Sequence, residues 1–94
     1  MRKEVKWFAE KMEMVLKQHD EERGSDGWKG EDVLWVLERI EGETKELEKA
    51  LRKYGFFNML QFPDLSPSEK DEIIKESVDI ANFCMMLADI INEY

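Results

Sequence analysis

Cysteine, histidine and proline are scarce in this chain, and each scarcity excludes a class of structure. Cys84 is the only cysteine, so no intrachain disulfide can form, and its apolar surroundings predict a small packed hydrophobe in a reducing compartment. His19 is the only histidine, which excludes the usual zinc ligand sets and the Glu-x-x-His motifs of ferritin-type di-iron sites. Both prolines, Pro63 and Pro67, fall in one short stretch, where they interrupt any helix.

Long apolar runs and an excess of positive charge are also missing. No segment approaches the roughly 18 apolar residues that span a bilayer, and the charged N-terminus lacks a targeting pattern, so we expect a cytoplasmic protein without membrane contact. Because 22 acidic residues outnumber 14 basic ones, the net charge is −8, which disfavours binding to nucleic-acid backbones. An anionic ligand would need metal ions between itself and the protein.

Apolar periodicity predicts three helices in a single domain spanning residues 1–94, which places the chain in the all-α class. The first helix, whose apolar stripe includes Val5, is expected at about 3–20. The second, whose apolar stripe includes Leu37, is expected at about 31–54. Between them lies a loop with three glycines and Trp28. Gly55 is the expected stop of the second helix. Four apolar residues beyond that stop are expected to cover an edge of the core, namely Phe56, Phe57, Leu60 and Phe62.

The third helix, at about 67–93, has the clearest start signal. Ser66, Pro67 and Glu69 match a capping box with proline at the first helical position. The helix is then apolar on nearly every side, and two other helices cannot cover so much apolar surface. A helix of this kind is normally buried all round, so a second copy of the chain is the expected cover, in a homodimer or homotetramer.

Two acidic pairs, Glu43/Glu46 and Glu76/Asp79, occur within the apolar stripes of the second and third helices. Residues three apart differ by about 60° around a helix axis, so each pair projects from one face. Spacing alone is weak evidence, because three further pairs occur at the same spacing in this acidic chain. The position in a core stripe is what distinguishes these two, since burial of ionised carboxylates is costly.

Two interpretations of the four carboxylates remain open. In the purely structural one, neighbouring basic side chains neutralise them, the candidates being Arg39, Lys45, Lys49, Lys53 and Lys75. In the other, a hard divalent cation does so. Ligation by oxygen alone selects Mg²⁺, Mn²⁺ or Ca²⁺, and Mg²⁺ held by several carboxylates commonly acts together with substrate phosphates. Hydrolysis of a phosphate ester or anhydride is the chemistry this suggests.

A family resemblance extends beyond the four acids. The segments Glu43-Thr-Lys-Glu46 and Glu76-Ser-Val-Asp79 resemble the ExxE…ExxD motif of MazG-like all-α nucleotide pyrophosphohydrolases. The longer strings HDEERGSDGW, LERIEGETKELEKAL and EIIKESVDIANFCMMLADI are similar to a compact MazG-like group, so the resemblance covers most of the chain.

This resemblance implies an oligomeric helical bundle of the all-α NTP pyrophosphatase type. Its members hydrolyse a nucleoside triphosphate between the α- and β-phosphates with Mg²⁺, releasing a nucleoside monophosphate and pyrophosphate; Mn²⁺ is a possible substitute. Carried over to this chain, the metal-binding and catalytic residues would be Glu43, Glu46, Glu76 and Asp79. Each of the four is also a candidate to orient or deprotonate the attacking water.

Three further residues are candidates for contact with the nucleotide. Asn82 resembles an asparagine that related enzymes use near the nucleotide, although a buried amide satisfied by backbone is an equal alternative. Trp28 is a candidate for stacking on the base, or an anchor of its loop on the core, and Lys29 beside it is a candidate for phosphate contact. His19 is a weaker candidate for catalysis.

The sequence also departs from the family pattern. Gly42 occupies a position at which the family often has another glutamate. This departure motivates the alternative function, a non-catalytic helical nucleotide-binding or dimerisation module with the same fold.

Overall fold

A computed structural model describes residues 1–24, 27–58 and 63–94, so the contacts predicted for Leu60 and Phe62 lie outside the described residues. Within the described ranges all regular structure is helical and no strand occurs, which confirms the all-α class. The elements are α1 (Lys3–Arg23), a 3-10 turn (Gly27–Gly30), α2 (Val33–Lys53) and α3 (Pro67–Asn92).

The boundaries of α2 and α3 are set by local interactions. The Asp32 side chain caps α2 by accepting a hydrogen bond from the backbone N–H of Leu34 at 2.8 Å. At the other end of α2, Gly55 adopts φ +87°, a left-handed conformation that favours glycine, as predicted for the stop. Ser66 and Glu69 form the reciprocal hydrogen bonds of the predicted capping box at the start of α3.

Helix α3 is the central element, since it contacts α1, α2 and the 3-10 turn. It runs antiparallel to α2. The hydroxyl of Tyr54, at the end of α2, donates to the carboxylate of Glu72 near the start of α3, whereas Trp35, near the start of α2, meets Phe83 farther along α3. The buried apolar residues among those described are Val36, Ala50, Val78 and Ile90.

Part of the apolar surface that the sequence assigned to the core is exposed in the single chain. Val5 and Leu37 belong to predicted core stripes but are 51% and 41% exposed, and Phe57 is 52% exposed. Cys84 was expected to pack as a small hydrophobe, but it is exposed on the side of α3 that faces away from α1 and α2. That prediction is wrong for the single chain, because α1 and α2 leave this side of α3 uncovered.

Among the described helices, none carries an apolar stretch long enough to cross a membrane.

Candidate functional site

Three of the four predicted carboxylates converge between α2 and α3. One oxygen from each of Glu43, Glu76 and Asp79 lies within 4.8 Å of the other two, and all three side chains are half-buried. The i,i+3 spacing places Glu76 and Asp79 on one face of α3, and the antiparallel packing of α2 brings Glu43 opposite them. Oxygen is the donor type that a hard divalent cation takes from a protein, so these three side chains could hold one.

The fourth carboxylate, Glu46, lies outside this group of three. Its side chain is 53% exposed, and an oxygen of its carboxylate is 3.3 Å from the Nζ atom of Lys49. The two acids of α2 therefore have different surroundings, although their spacing in sequence is the same as that of Glu76 and Asp79. The prediction that Glu46 binds metal stays a prediction.

Burial and neighbouring negative charges determine the ionisation of Glu76. Burial raises the pKa of its carboxyl above the ordinary value, Lys75 opposes this effect, and the negative charges of Asp79, Glu43 and Glu46 add to it. An approaching cation would stabilise the ionised form of this carboxyl.

Lys75 neutralises part of the group. Its Nζ atom is 3.3 Å from Asp79 Oδ2, and this carboxylate, followed by Glu76 and Glu43, raises the pKa of the lysine. Of the other basic residues considered from the sequence, Lys53 pairs with Glu72 at 3.7 Å. One exposed lysine thus faces three carboxylates, so the group retains an excess of negative charge.

A cavity of about 570 Å³ adjoins the carboxylates. Glu43, Asp79 and Lys75 form part of its polar lining, and aromatic side chains form another part, contributed by Trp28, Trp35 and Phe83. His19 also lines the cavity, but its exposed imidazole is 4.0 Å from the Glu22 carboxylate. A cavity with a charged region and an aromatic region suits a ligand that carries both a charged group and an aromatic group.

Sequence reasoning missed the aromatic cluster that lines this cavity. The rings of Trp35 and Phe83 meet edge to face with centroids 6.4 Å apart, and the Arg39 guanidinium lies 5.6 and 5.7 Å from them. The i,i+4 spacing of Arg39 and Glu43 predicts an ion pair between them, but the Arg39 guanidinium lies over these rings. The available signal was the i,i+4 spacing of Trp35 and Arg39, which puts them on one face of α2.

Asn82 is the one buried polar residue among those described, with 4% of its surface exposed. Its Nδ2 atom donates to the backbone carbonyl of Met12 at 3.3 Å, which ties α1 to α3. Its Oδ1 atom is buried without a hydrogen-bond partner, although the residue lines the cavity. One end of the amide is therefore satisfied by backbone and the other end has unused accepting capacity, and contact with a nucleotide stays a prediction.

Trp28 and Lys29 both contact α3 through Asp89. The indole Nε1 of Trp28 donates to Asp89 Oδ2 at 3.0 Å, and the Lys29 ammonium donates to the same oxygen at 3.1 Å. Trp28 thus anchors its turn and also lines the cavity, whereas Lys29 is not among the residues that line it. The two hydrogen bonds lower the pKa of Asp89, the one from Trp28 having the larger effect.

Comparison with known proteins yields no match: no protein family, no curated protein and no solved structure is significantly similar to this chain. The resemblance to MazG-like proteins stays a prediction, and the chemistry of the site has to support any functional conclusion.

The raised pKa of Glu76 predicts a stability that depends on pH. The folded chain binds this proton more tightly than the unfolded chain, so stability falls as the pH rises from the unfolded value near 4.5 through the folded pKa. Glu76→Gln removes the ionisation, so we expect it to raise the melting temperature at about pH 7 and to change it little at about pH 3.5. Glu41→Gln, at an exposed position on α2, is the control.

The same melts with added Mg²⁺ test the cation site. An ion that binds only the folded chain should raise the melting temperature of the unsubstituted protein, and less so that of Glu76→Gln. This description of Glu76 is contradicted if Glu76→Gln changes the melting temperature equally at both pH values and Mg²⁺ raises the melting temperatures of the variant and the unsubstituted protein equally.

Proposed function

We propose that this chain is a Mg²⁺-dependent nucleoside triphosphate pyrophosphohydrolase. The observation that carries the proposal is the group of three carboxylates, Glu43, Glu76 and Asp79, beside a cavity that also has an aromatic lining. In the proposed reaction, water adds at the α-phosphorus and the bond from that phosphorus to the α–β bridging oxygen breaks. The products are a nucleoside monophosphate and pyrophosphate.

The charge of the chain supports the need for a metal ion. A protein of net charge −8 with carboxylates at its cavity repels a triphosphate unless cations lie between them. The three grouped carboxylates would hold Mg²⁺, or Mn²⁺, and Glu46 would join them one turn farther along α2. Such an ion, when bound, would supply charge neutralisation for the phosphates and lower the pKa of attacking water.

The other side chains of the cavity have chemistry that suits the rest of a nucleotide. Trp28, Trp35 and Phe83 offer aromatic surface on which a base can stack. The unused Oδ1 atom of Asn82 can accept a hydrogen bond from a sugar hydroxyl or a base amino group, which would remove the cost of a buried unpaired acceptor. A nucleotide substrate also suits the cytoplasmic location expected from the sequence.

Pyrophosphate release from a panel of canonical and modified nucleoside triphosphates tests the reaction directly. We expect Mg²⁺-dependent release that Asp79→Asn lowers by at least the roughly 10- to 100-fold typical of disturbed metal sites. Asp71→Asn, at an exposed position on the same helix, is the matched control and should retain activity. The hypothesis is wrong if no triphosphate yields pyrophosphate at high enzyme concentration, or if Asp79→Asn is as active as Asp71→Asn.

The alternative, a non-catalytic nucleotide-binding module, is favoured by two observations. Lys75 already offsets part of the negative charge of the group, and Gly42 stands where the resembling family often has a glutamate. Position 42 is exposed, and a Cβ built there meets no atom within 4 Å, so the glutamate can be introduced without a clash.

Gly42→Glu separates the two functions when it is compared with Gly42→Ala. Both substitutions should stabilise α2, by about 0.5–1 kcal/mol for alanine, because glycine is unfavourable within a helix. Only the glutamate adds a carboxylate beside Glu43, so kcat/KM for pyrophosphate release should rise in Gly42→Glu alone. If the unsubstituted chain is inactive and Gly42→Glu is active, the natural chain is the non-catalytic module. Equal activity of the two variants would contradict a role for position 42.

We further propose that the chain forms a homodimer through the outer side of α3. Cys84, Ala88 and Ile91 recur there at spacings of four and three, and all three are exposed. Over all its surfaces the chain exposes 7350 Å², about 1,650 Å² more than the roughly 5,700 Å² expected for a folded monomer of its mass. A standard interface buries about 800 Å² of each partner, so the excess allows one, and the choice of α3 rests on its exposed stripe.

Ala88→Arg should convert the dimer to a monomer, because a guanidinium in the centre of an apolar interface is buried without a partner. Light scattering coupled to size exclusion measures the mass, and circular dichroism checks that the helices remain. Ala9→Arg, the same substitution at an exposed position on α1, is the control. A monomeric unsubstituted chain, or a dimeric Ala88→Arg chain, would refute this interface.

A further inference from the structure

The 3-10 turn at Gly27–Gly30 has no fully buried residue, although Trp28 is half-buried, and it both begins and ends with glycine. Trp28 and Lys29 donate hydrogen bonds to the same oxygen atom of α3, Asp89 Oδ2, at 3.0 and 3.1 Å. These two hydrogen bonds join positions 61 and 60 residues apart in the chain. They therefore help to hold the turn against α3.

Asp89 is well placed to act on Trp28 without acting on the carboxylate group. It does not line the cavity, whereas Trp28 does. Asp89 lies ten residues beyond Asp79 on the same helix, which corresponds to about 15 Å along the axis. A change at Asp89 should therefore alter the position of the indole and leave the site of the phosphate chemistry intact.

We propose that Asp89 is a positioning residue that holds Trp28 in place as an aromatic wall of the cavity and so sets the affinity for the base of a nucleotide. The identity of the ligand rests on the proposed function; the positioning of the indole does not. An indole that is already held in its binding position loses less conformational freedom when a base stacks on it, so affinity increases. Loss of Asp89 should therefore weaken binding more than it slows turnover.

The exchange of indole N–H groups with solvent tests the positioning without any substrate. The three tryptophans give three indole signals in NMR spectra, and Trp28→Phe identifies the signal of Trp28. In Asp89→Ala we expect exchange at Trp28 to accelerate about tenfold, with Trp7 and Trp35 unchanged. Asp89→Asn keeps an accepting oxygen for the indole and should change exchange by less than about threefold. Asp71→Ala, on the same helix, is the control.

Kinetic constants test the effect on the ligand. Asp89→Ala should raise KM about five- to tenfold, the size expected for the loss of one or two partly exposed hydrogen bonds, and leave kcat within about twofold. Asp89→Asn should restore most of the affinity. The increase in KM should shrink when Trp28 is already phenylalanine, because the donor that Asp89 holds is then absent. Reduced kcat with unchanged KM, or a KM change equal to that of Asp71→Ala, would overturn the proposal.

Binding of non-hydrolysable analogues separates failure of this proposal from failure of the proposed function. Calorimetry with triphosphates that carry an imido group between the α- and β-phosphates, in the presence of Mg²⁺, needs no turnover. If the chain binds these analogues but hydrolyses no triphosphate, the enzyme proposal fails, and weaker binding by Asp89→Ala still supports the role of Asp89. If the chain does not bind them, the role in base affinity fails together with the function. Unaltered indole exchange in Asp89→Ala overturns the positioning itself.

Discussion

Repulsion between like charges is the constraint on which the rest of this structure depends. Three carboxylate oxygens, from Glu43, Glu76 and Asp79, lie within 4.8 Å of one another. Packing of α2 against α3, the helices that contain the fully buried Val36 and Val78, holds them together against this repulsion. The raised pKa of Glu76 is one measure of the cost. Arrangements that reduce stability and favour the binding of a charged ligand are typical of functional sites.

Helix α3 takes part both in the grouped carboxylates and in the polar contacts that join the other elements to it. It provides two of the three grouped carboxylates, together with Asn82, which binds the Met12 carbonyl of α1, and Asp89, which binds Trp28. The buried core is small, so these polar contacts help to fix the positions of α1 and the 3-10 turn on α3. The opposite side of α3, including Cys84, is apolar and exposed, which accounts for a helix that is apolar on nearly all sides in sequence.

Local signals in the sequence were sufficient to predict the helices. The capping box at Ser66 and the left-handed glycine at Gly55 depend on neighbours within a few residues, so they can be read without knowledge of the tertiary fold. The same holds for the common face of Glu76 and Asp79, since helix geometry alone places residues three apart on one side. The burial predicted for Val5 failed because periodicity identifies an apolar face and does not show what covers it.

By itself, then, the sequence determined the helical class, the start of α3 and the two acidic pairs, because each depends on short-range geometry. It did not determine every helix limit, since α1 continues to Arg23, beyond its predicted end at about residue 20. Only the tertiary structure decided that Glu43 joins the pair on α3 while Glu46 turns to Lys49. It alone placed Trp35 against Phe83 and Trp28 against α3. The physical reason is that such contacts depend on how one helix is rotated and shifted against another, and many side chains far apart in the chain set that arrangement together.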